Sequence, residues 1–447
     1  MSLENSTIAA LATASGVASI SIVRVSGTDA YAIAQKMLNK PLKPRYATLS
    51  FINDSSGDAI DQAIVIYFQS PNSFTGEDIV EFQCHGGMAV AQAVLETTLH
   101  FGAQLAKPGE FSKRAFLNGK IDISKAEAIA KLIESKSQDA AKILTSQLKG
   151  ELQQFVDDSK QMLLKALAYS EVSIDYADED LPSDLKQNLY LQLQDLSRHF
   201  QNIVASSNRR KGLIEGFKVC IIGKPNVGKS SLLNTLLSYN RAIVSDIAGT
   251  TRDTIEEQVY IGTHLVRIVD TAGIRDSKQS IEKIGIEKSL EAINQSDIIV
   301  ALFDGSQPLQ EDDHKILNLL QNSDKPKYVA INKSDLDQKI ELQALQEFNP
   351  ISISTQQNCD ALLDPIKKHL DKMGLDEEIM LTSSRQIAAV TSAQKEIKNA
   401  LEPLQNEELE LFSYHLVSAT QHLSAITDPY DSEEVLDKMF GEFCLGK

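Results

Sequence analysis

One eight-residue segment limits the possible folds of this chain more than any other feature. Residues 223–230 read Gly-Lys-Pro-Asn-Val-Gly-Lys-Ser, which matches the pattern G-x-x-x-x-G-K-[ST]. The segment follows an apolar run at residues 218–222 and precedes a helix-favouring stretch at residues 231–237. A strand, a glycine-rich turn and a helix in this order surround a phosphate group with backbone N–H groups and a helix N-terminus. The segment therefore predicts an α/β domain that binds a nucleoside phosphate.

Two further motifs at the ends of later apolar runs narrow the nucleotide to GTP. The motif Asp-Thr-Ala-Gly at residues 270–273 would place a carboxylate near magnesium and a glycine N–H near the γ-phosphate. The motif Asn-Lys-Ser-Asp at residues 332–335 ends with Asp335, which would accept the N1 and N2 protons that guanine offers and adenine does not. Ser354 and Thr355 follow a short strand and would complete the base pocket. We therefore predict a GTPase domain.

Each residue of the nucleotide site has an expected role. Lys229 would bridge the β- and γ-phosphates, and the Ser230 hydroxyl would bind magnesium with Thr251 as the second protein ligand. The candidate GTP-contacting residues are Asn226, Val227, Gly228, Lys229, Ser230, Ser231, Ser245, Asp246, Ile247, Ala248, Gly249, Thr250, Thr251, Asp270, Thr271, Ala272, Gly273, Asn332, Lys333, Asp335 and Ser354.

The residue after the Asp-Thr-Ala-Gly motif is Ile274, where Ras-type GTPases have the glutamine that orients water. Two alternatives for charge neutralisation follow from the residues. An arginine finger could come from Arg252 or Arg275, or a monovalent cation could be held by Asn226 and by carbonyl groups of the segment before Thr251. Glu282 is a candidate to orient the water, and an ordinary exposed helix carboxylate is the competing interpretation.

The hydrophobic periodicity changes along the chain and predicts its domains. Residues 1–119 contain short strand-like runs at 18–25, 63–68 and 79–83 and a helix at 89–100, so we predict an α+β domain. Apolar spacings of three and four residues predict helices in 120–212, which we expect to close with a basic linker at 208–212. Residues 216–371 alternate strand and helix, and residues 372–447 are helical again, with a final helix starting at Asp431. We predict one helical domain that is split by the α/β insert.

Charge and cysteine usage limit the partners and the compartment. The formal charge is −17, which argues against a protein that coats nucleic acid by electrostatics alone. The four cysteines are scattered without a C-x-x-C pair, and no apolar run approaches the ~20 residues that span a bilayer. The first residues lack a secretory or transit pattern, so we expect a cytoplasmic protein with no membrane partner.

Several motifs together resemble the tRNA-modifying GTPase family called MnmE or TrmE, over essentially the whole chain. These motifs are Ser-Phe-Thr-Gly-Glu-Asp at 73–78, Cys-His-Gly-Gly at 84–87, Pro-Gly-Glu-Phe-Ser at 108–112, Arg-Ala-Phe-Leu-Asn-Gly-Lys at 114–120, Gly-Thr-Thr-Arg-Asp at 249–253 and the final Phe-Cys-Leu-Gly-Lys at 443–447. The implied architecture is a multidomain α/β protein with an N-terminal α+β folate-binding-type domain, a discontinuous helical domain and an inserted Ras-like P-loop GTPase domain.

The resemblance also implies ligands for the N-terminal domain, which is similar to folate-binding aminomethyltransferase domains and mediates homodimerisation. The implied ligand is a tetrahydrofolate one-carbon donor, either 5,10-methylene- or 5-formyl-tetrahydrofolate. Arg24, Glu81, Lys120 and Lys447 match the folate-contacting positions of the family. Without the family context each of them could equally form a surface salt bridge. Cys444 could take part in the uridine chemistry or be a buried apolar residue.

For the GTPase domain, the resemblance implies potassium-dependent hydrolysis and pairing of the two GTPase domains of a dimer. Asn226, Ser245, Ile247 and Thr250 match the potassium ligands of the family, and Glu282 acts with Lys229 and Thr251 as the catalytic set.

The implied partner is the FAD-containing MnmG (GidA) protein in a hetero-oligomer. Together the two proteins add a carboxymethylaminomethyl or aminomethyl group to C5 of the wobble uridine of tRNA. We expect the tRNA contact to be local and to use the basic stretch at residues 107–125. The alternative is a regulatory GTPase switch in ribosome assembly without modification chemistry, and the charge of −17 argues against it because such switches usually carry a basic RNA-binding appendage.

Overall fold

The computed structural model describes residues 6–14, 16–175, 183–239, 257–269, 290–354, 358–374, 379–428, 433–441, 443 and 446. The chain divides into two compact units. The first unit contains residues 1–133, 147–189 and 399–447, and the second contains residues 134–146 and 190–398.

A six-stranded sheet forms the centre of the first unit. Its strands are β1 (Ile8–Leu11), β2 (Ile20–Ser26), β3 (Thr48–Asn53), β4 (Ala59–Phe68), β5 (Ile79–His85) and β6 (Gln104–Leu105), in the order β3-β4-β5-β2-β1-β6. Only β6 pairs in parallel, with β1. Helices α1 (Ala30–Leu38) and α2 (Met88–His100) cover one face, where Val23, Val65 and Phe82 are fully buried.

The opposite face of this sheet is apolar and exposed. The strand register places Leu49, Ile64, Gln83 and Ile22 in one cross-strand row and Phe51, Gln62, His85 and Ile20 in the next. Residues directly opposite each other in a sheet share a face. Four of these side chains keep 40–60% of their surface exposed: Ile20 55%, Leu49 60%, Phe51 56% and Ile64 40%. We call this surface the outer face.

Helices from both ends of the chain pack together in the first unit. They are α3 (Glu110–Leu117), α4 (Ile123–Glu134), α6 (Glu151–Asp175), α13 (Leu409–Thr427) and α14 (Glu433–Gly441). Helix α13 packs on α6, where the hydroxyls of Ser170 and Ser413 lie 2.7 Å apart. Helix α14 packs on α3 and α4 through the buried ring of Phe440. The helix α5 (Gln138–Leu148) and the helix α7 (Ser183–Arg210) each contribute residues to both units.

The second unit contains a second six-stranded sheet. Its strands are β7 (Phe217–Ile222), β8 (Glu257–Ile261), β9 (His264–Val269), β10 (Ile298–Asp304), β11 (Lys327–Asn332) and β12 (Ile351–Ser352), in the order β12-β11-β10-β7-β9-β8. All pairs are parallel except β8 with β9. Strand β7 is central, and the chain continues to β9 on one side and β10 on the other, which leaves a crevice at the carboxyl end of β7 where ligands bind in such sheets.

Helices surround the second sheet and bury its apolar strands on both faces. They are α8 (Gly212–Glu215), α9 (Lys229–Tyr239), α10 (Glu311–Gln321), a 3-10 helix (Leu342–Phe348) and α11 (Asp360–Gly374). The next helix, α12 (Ser384–Asn406), contributes residues to both units. Within this unit α7 lies against α12, since the amide of Gln394 donates to the hydroxyl of Ser197 over 3.2 Å.

The hairpin formed by β8 and β9 is attached to the start of α5. The hydroxyl of Tyr260 donates to the carbonyl oxygen of Lys136 over 2.9 Å, and Thr263 donates to Asp139 over 3.2 Å. The imidazole of His264 is buried between Asp139, at 3.4 Å, and Asp371, at 2.8 Å. These contacts fix the hairpin to residues outside its own sheet.

The mixed α/β class and most of the expected strands are confirmed. The runs at 18–25, 63–68, 79–83, 218–222, 265–269, 298–303 and 328–331 all lie in or across strands, and the helix expected at 89–100 is α2. Strands β1, β3, β6 and β8 were not predicted. β1 and β6 have only four and two residues, and β3 has apolar residues on both of its faces, without a polar–apolar alternation. The domain boundaries at 119, 212, 216 and 371 remain predictions.

The basic linker expected at residues 208–212 is wrong. Helix α7 continues to Arg210, and the short helix α8 starts at Gly212. Arg210 is buried, and its Nε atom donates to the carbonyl oxygen of Met373 over 3.1 Å. The three consecutive cations at residues 209–211 suggested a solvated linker, but Arg210 joins α7 to the helix that contains Met373. Within the described ranges, none of the helices is both long and apolar enough to cross a membrane.

Helix α14 depends on a glycine at the start of α3. Gly109 has φ +67°, and a methyl group there would lie 2.1 Å from the carbonyl oxygen of Phe440. We expect Gly109→Ala to displace α14, because neither the backbone of Phe440 nor a left-handed alanine can adjust cheaply. Hydrogen exchange should then rise at residues 433–441.

Gly87→Ala is the matched control for this variant. Gly87 also precedes a helix, but its φ is −86° and nothing lies within 4 Å of an added methyl group. Equal exchange of residues 433–441 in both variants would contradict the expected displacement.

Candidate functional site

The turn between β7 and α9 is shaped by close backbone packing. A methyl group on Gly223 would lie 2.6 Å from the carbonyl oxygen of Leu302 on β10, so this position requires glycine. Asn226 has φ +64° and Gly228 has φ +106°, which bends the chain sharply before α9 begins at Lys229. Such turns direct successive N–H groups into one concave surface. The phosphate-binding loop expected from the sequence therefore has a suitable backbone.

Lys229 folds back over this turn. Its ammonium group donates to the carbonyl oxygens of Gly223, at 2.7 Å, and Lys224, at 2.8 Å. Burial lowers the pKa of Lys229 below its usual value. A polyanion placed in the turn would face a positive charge that is already held at the centre of the loop, with little side-chain freedom left to lose.

The predicted base-binding residues lie next to the same turn. The Asn332 amide, at the end of β11, donates from Nδ2 to the carbonyl oxygen of Val227 over 2.7 Å. The backbone N–H of Ser334 donates to the carbonyl of Ile353 over 3.1 Å, which brings the segment 332–335 next to Ser354. Asp335 is exposed, and Ser354 is buried. The structure therefore brings the phosphate turn and both base-pocket segments together.

Lys333 and Asp304 form an ion pair at the ends of β11 and β10. The Lys333 ammonium lies 2.5 Å from the Asp304 carboxylate, and the hydroxyl and N–H of Ser306 donate to the same group at 2.6 and 3.0 Å. Burial by itself would raise the pKa of Asp304, but the hydrogen bonds from Lys333 and Ser306 outweigh it and lower the pKa below its usual value. The pair fixes Lys333, whose φ is +65°, at the start of the base-binding loop.

Sequence reasoning missed a second ion pair that holds the phosphate turn from the other side. The Lys224 ammonium lies 2.7 Å from the carboxylate of Asp313, which is buried in the first turn of α10. Asp313 also forms a capping box with Gln310. The acidic run at 311–313 resembled an ordinary helix start, so the sequence held no signal that one carboxylate faces the turn.

Many of the predicted site residues cannot be compared with the structure. Ser245, Asp246, Ile247, Ala248, Gly249, Thr250, Thr251, Asp270, Thr271, Ala272, Gly273, Glu282 and Lys447 lie outside the described residues, as do Arg252, Arg275 and Cys444. The described members of the nucleotide set, from Asn226 to Ser231 and from Asn332 to Ser354, lie around the carboxyl ends of β7, β10 and β11.

A separate polar pair lies on the first sheet. Arg24 on β2 is directly opposite Glu81 on β5, and its Nε and Nη2 atoms lie 2.9 and 2.8 Å from Oε1 of Glu81. Among the described residues, no other group accepts a hydrogen bond from this guanidinium and none donates to Oε2 of Glu81. The pair therefore retains N–H donors and one carboxylate oxygen for a ligand.

The other two predicted folate residues lie differently. The Lys120 side chain packs against Gly76, in the loop that follows β4. Lys447 lies outside the described residues, but Gly446 is buried, and a methyl group there would lie 2.3 Å from the carbonyl oxygen of Leu11 on β1. The C-terminus therefore reaches the strand that pairs with β2.

The basic stretch at 107–125 is not the basic surface that the sequence suggested. Lys113 is buried and lies 2.5 Å from Asp437, and Arg114 is buried between Glu77 and Glu110. Lys125 pairs with Asp122 at 3.2 Å. Three of its cations therefore serve intramolecular contacts, which the linear sequence could not show.

Comparison with known proteins gives consistent matches along the whole chain. Residues 7–120 match the family model described as GTP-binding protein TrmE N-terminus, and residues 123–444 match the model described as MnmE helical domain. The tRNA modification GTPase MnmE of Sulfurovum sp. (strain NBC37-1) is 60% identical over 443 residues, which cover 99% of this chain and 98% of that protein. The tRNA modification GTPase MnmE of Aliarcobacter butzleri (strain RM4018) is 56% identical over 446 residues, which cover 99% and 100%.

A solved structure of Era in complex with MgGDPNP and nucleotides 1506–1542 of 16S ribosomal RNA covers 40% of this chain and 66% of its own. The identity is 26% and the TM-score is 0.26. That score is too low for any conclusion about a shared fold.

The Asp304 ion pair predicts a specific acid sensitivity. Hydrogen bonds hold the folded-state pKa of Asp304 below the ordinary value of an aspartate. Its contribution to stability is therefore present above that ordinary value and is lost as the pH falls through the folded-state pKa. We expect Asp304→Asn to lower the free energy of unfolding by about 1–3 kcal/mol at pH 7. The difference from the unmodified chain should shrink in urea unfolding curves as the pH falls through and below the ordinary pKa of an aspartate. Asp337→Asn makes the same chemical change at an exposed position of the loop that begins at Lys333, and it is the control. A difference between Asp304→Asn and the unmodified chain that stays constant with pH would contradict the assignment.

Proposed function

The chain belongs to the MnmE family of tRNA modification GTPases, and on that premise we propose that it hydrolyses GTP to support one-carbon transfer to tRNA. Its activity as a GTPase in tRNA modification follows from the family. The hydrogen bond from Asn332 to Val227 is the observation that best supports the nucleotide site, because it joins the segment that would bind guanine to the turn that would hold phosphate.

In the proposed GTP complex, the Lys229 ammonium contacts the β- and γ-phosphates from its position at the centre of the loop. The hydroxyl of Ser230, in the first turn of α9, binds magnesium with Thr251. Asp335 pairs with the guanine edge, and Ser354 closes the base pocket. Exposure of Asp335 beside the buried Ser354 supports this arrangement, since the carboxylate is accessible to a base. The segments 245–251 and 270–273 supply the remaining contacts.

Catalysis in this proposal uses potassium rather than an arginine finger. Asn226, Ser245, Ile247 and Thr250 hold the cation, which supplies the positive charge that the transition state needs. Glu282 orients the attacking water in place of the glutamine that Ile274 replaces. The left-handed backbone at Asn226 supports this role, because it sets that side chain at the corner of the phosphate turn.

The first unit is proposed to bind the one-carbon donor, a 5,10-methylene- or 5-formyl-tetrahydrofolate. The free oxygen of Glu81 suits the adjacent N–H donors of a pterin ring, and cations at Arg24, Lys120 and Lys447 suit the glutamyl carboxylates. The unused donors of Arg24 and the position of Gly446 on β1 support this site.

A homodimer through the outer face is the proposed assembly. The outer face carries four large apolar side chains in adjacent cross-strand rows, and the next row contains Arg24 and Glu81. Exposed apolar surfaces of this kind usually mark an interface. A second copy on this face would bring a second folate pair near the first.

The proposed reaction adds a carboxymethylaminomethyl or aminomethyl group to C5 of the wobble uridine, together with an FAD-containing MnmG (GidA) partner in the cytoplasm. The FAD of the partner would supply the redox chemistry. With a net charge of −17 and three paired cations in residues 107–125, the chain would share its tRNA contact with that partner.

The first test is the nucleoside content of tRNA. Deletion of the gene should abolish the modified wobble uridines, and the unmodified chain should restore them, as measured by mass spectrometry of digested tRNA. Lys229→Ala should fail to restore them because it lacks the phosphate-binding cation. Unchanged modification in the deletion strain would instead favour a regulatory switch in ribosome assembly.

The second test concerns the monovalent cation. GTP hydrolysis should be well over tenfold faster in potassium chloride than in sodium chloride, because sodium is too small for the same set of ligands. Glu282→Ala should remove most turnover while nucleotide affinity persists, and exposed Glu311→Ala is the control. Equal rates in the two salts would favour Arg252 or Arg275 instead.

A further inference from the structure

The guanidinium of Arg24 lies near two aromatic rings that belong to different parts of the first unit. Its Cζ atom is 5.9 Å from the ring centroid of Phe74 and 5.7 Å from that of Phe111. Phe74 is in the loop between β4 and β5, and Phe111 is in the first turn of α3. Both rings belong to one apolar cluster with Ile8. Cation–π contact at these distances holds a guanidinium in a fixed plane.

Arg114 joins the two segments that carry these rings. Its Nη1 atom lies 3.0 Å from Glu77, in the Phe74 loop, and its Nη2 atom lies 3.0 Å from Glu110, beside Phe111. The same two nitrogen atoms donate to the carbonyl oxygen and hydroxyl of Ser6 over 2.7 and 2.9 Å. One guanidinium therefore connects the loop, α3 and the residues before β1.

Glu77 is tied to the sheet on its other side. The hydroxyl of Ser26, at the end of β2, donates to Oε2 of Glu77 over 2.7 Å and lies 2.8 Å from the hydroxyl of Thr75. Asn118 at the end of α3 donates to the carbonyl oxygen of Thr75 over 2.7 Å. The Phe74 loop is thus held on both sides, by β2 and by α3.

This network is better suited to positioning than to stability. Desolvation offsets most of the attraction in a buried ion pair, so such pairs add little net stability compared with apolar packing. The Nε–H group of Arg114 is buried and donates to no acceptor among the described residues, which costs further free energy. The specific result of the arrangement is the fixed relation of Phe74, Phe111 and Arg24.

We propose that Arg114 and Glu77 are positioning residues for the folate site: their ion pair holds Phe74 against Phe111 and so fixes the guanidinium that receives the ligand. Neither residue touches the ligand in this assignment. The inference rests on the proposed function, because Arg24 is a folate residue only under that proposal.

The position of the loop can be measured without any folate. The chain contains no tryptophan, so Phe74→Trp gives a single tryptophan in the loop, which can be excited apart from the tyrosines. In that background, Glu77→Gln and Arg114→Lys should shift the emission to longer wavelength and increase quenching by acrylamide. Glu77→Gln removes the charge that pairs with Arg114, and Arg114→Lys leaves one nitrogen atom for the contacts to Glu77, Glu110 and Ser6 that two nitrogen atoms of the guanidinium make. Glu96→Gln makes the same chemical change on an exposed part of α2 and should change neither quantity.

The effect on the ligand is measured separately by isothermal titration with 5-formyltetrahydrofolate in chains that retain Phe74. Arg24→Ala tests the site itself and should abolish binding. Glu77→Gln and Arg114→Lys should weaken binding at least about tenfold, the effect of losing roughly 1.4 kcal/mol of preorganisation. Circular dichroism at 25 °C should show that every variant remains folded, and Glu96→Gln should bind like the unmodified chain.

The outcomes separate the two proposals. Absence of folate binding by the unmodified chain would overturn the folate part of the proposed function, while the fluorescence shift would still report whether the ion pair holds the loop. Loss of binding in Arg24→Ala with unchanged affinity in Glu77→Gln and Arg114→Lys would overturn the positioning role alone. An unchanged fluorescence in both loop variants would overturn the ion pair as the element that holds Phe74. A variant that melts earlier but keeps its affinity would show a purely structural role, which also overturns the inference.

Discussion

The contact between Gly223 and the carbonyl oxygen of Leu302 is the constraint on which the nucleotide site depends. Because Gly223 has no side chain, the end of β7 can lie directly against β10, and the chain can turn at once into α9. The turn then lies at the carboxyl end of the parallel strands, where the end of β11 also arrives. Asn332 can reach Val227 because β7 and β11 both pair in parallel with β10, so their carboxyl ends lie at the same edge of the sheet. Two ion pairs, Lys224 with Asp313 and Lys333 with Asp304, then fix the two sides of the site.

The sequence was most informative where backbone geometry restricts residue type. The glycines of the phosphate turn, the continuous apolar strands and the Asn332 motif all follow from constraints that act over a few residues, so their positions could be predicted. The family resemblance named Arg24 and Glu81 as separate folate residues, and the strand register shows that they lie opposite each other as an ion pair.

The failures concern charges whose partners are distant in the chain. Lys113 and Asp437 are separated by more than 300 residues, and nothing in the local pattern distinguishes this buried lysine from an exposed one. Arg210 was expected in a linker for the same reason, although it ends a helix and contacts Met373. Local composition reports the propensity of a segment, whereas the partner of a charge is decided by packing. Sites that depend on such charges therefore need the structure.

The attachment of the β8–β9 hairpin to α5 has a thermodynamic consequence. The hairpin is the described stretch between residues 240–256 and 270–289. These two segments contain the predicted magnesium ligand Thr251, three of the four predicted potassium ligands and Glu282. A shift of its register by one residue would reverse every side chain and separate Tyr260, Thr263 and His264 from Lys136 and Asp139. Any nucleotide that moves the hairpin must therefore either carry the start of α5 with it or break these bonds. In both cases the free energy of that change makes nucleotide binding less favourable by the same amount. A stronger contact at Asp139 would then weaken the binding of such a nucleotide, and the bound nucleotide would weaken the contact at Asp139 equally.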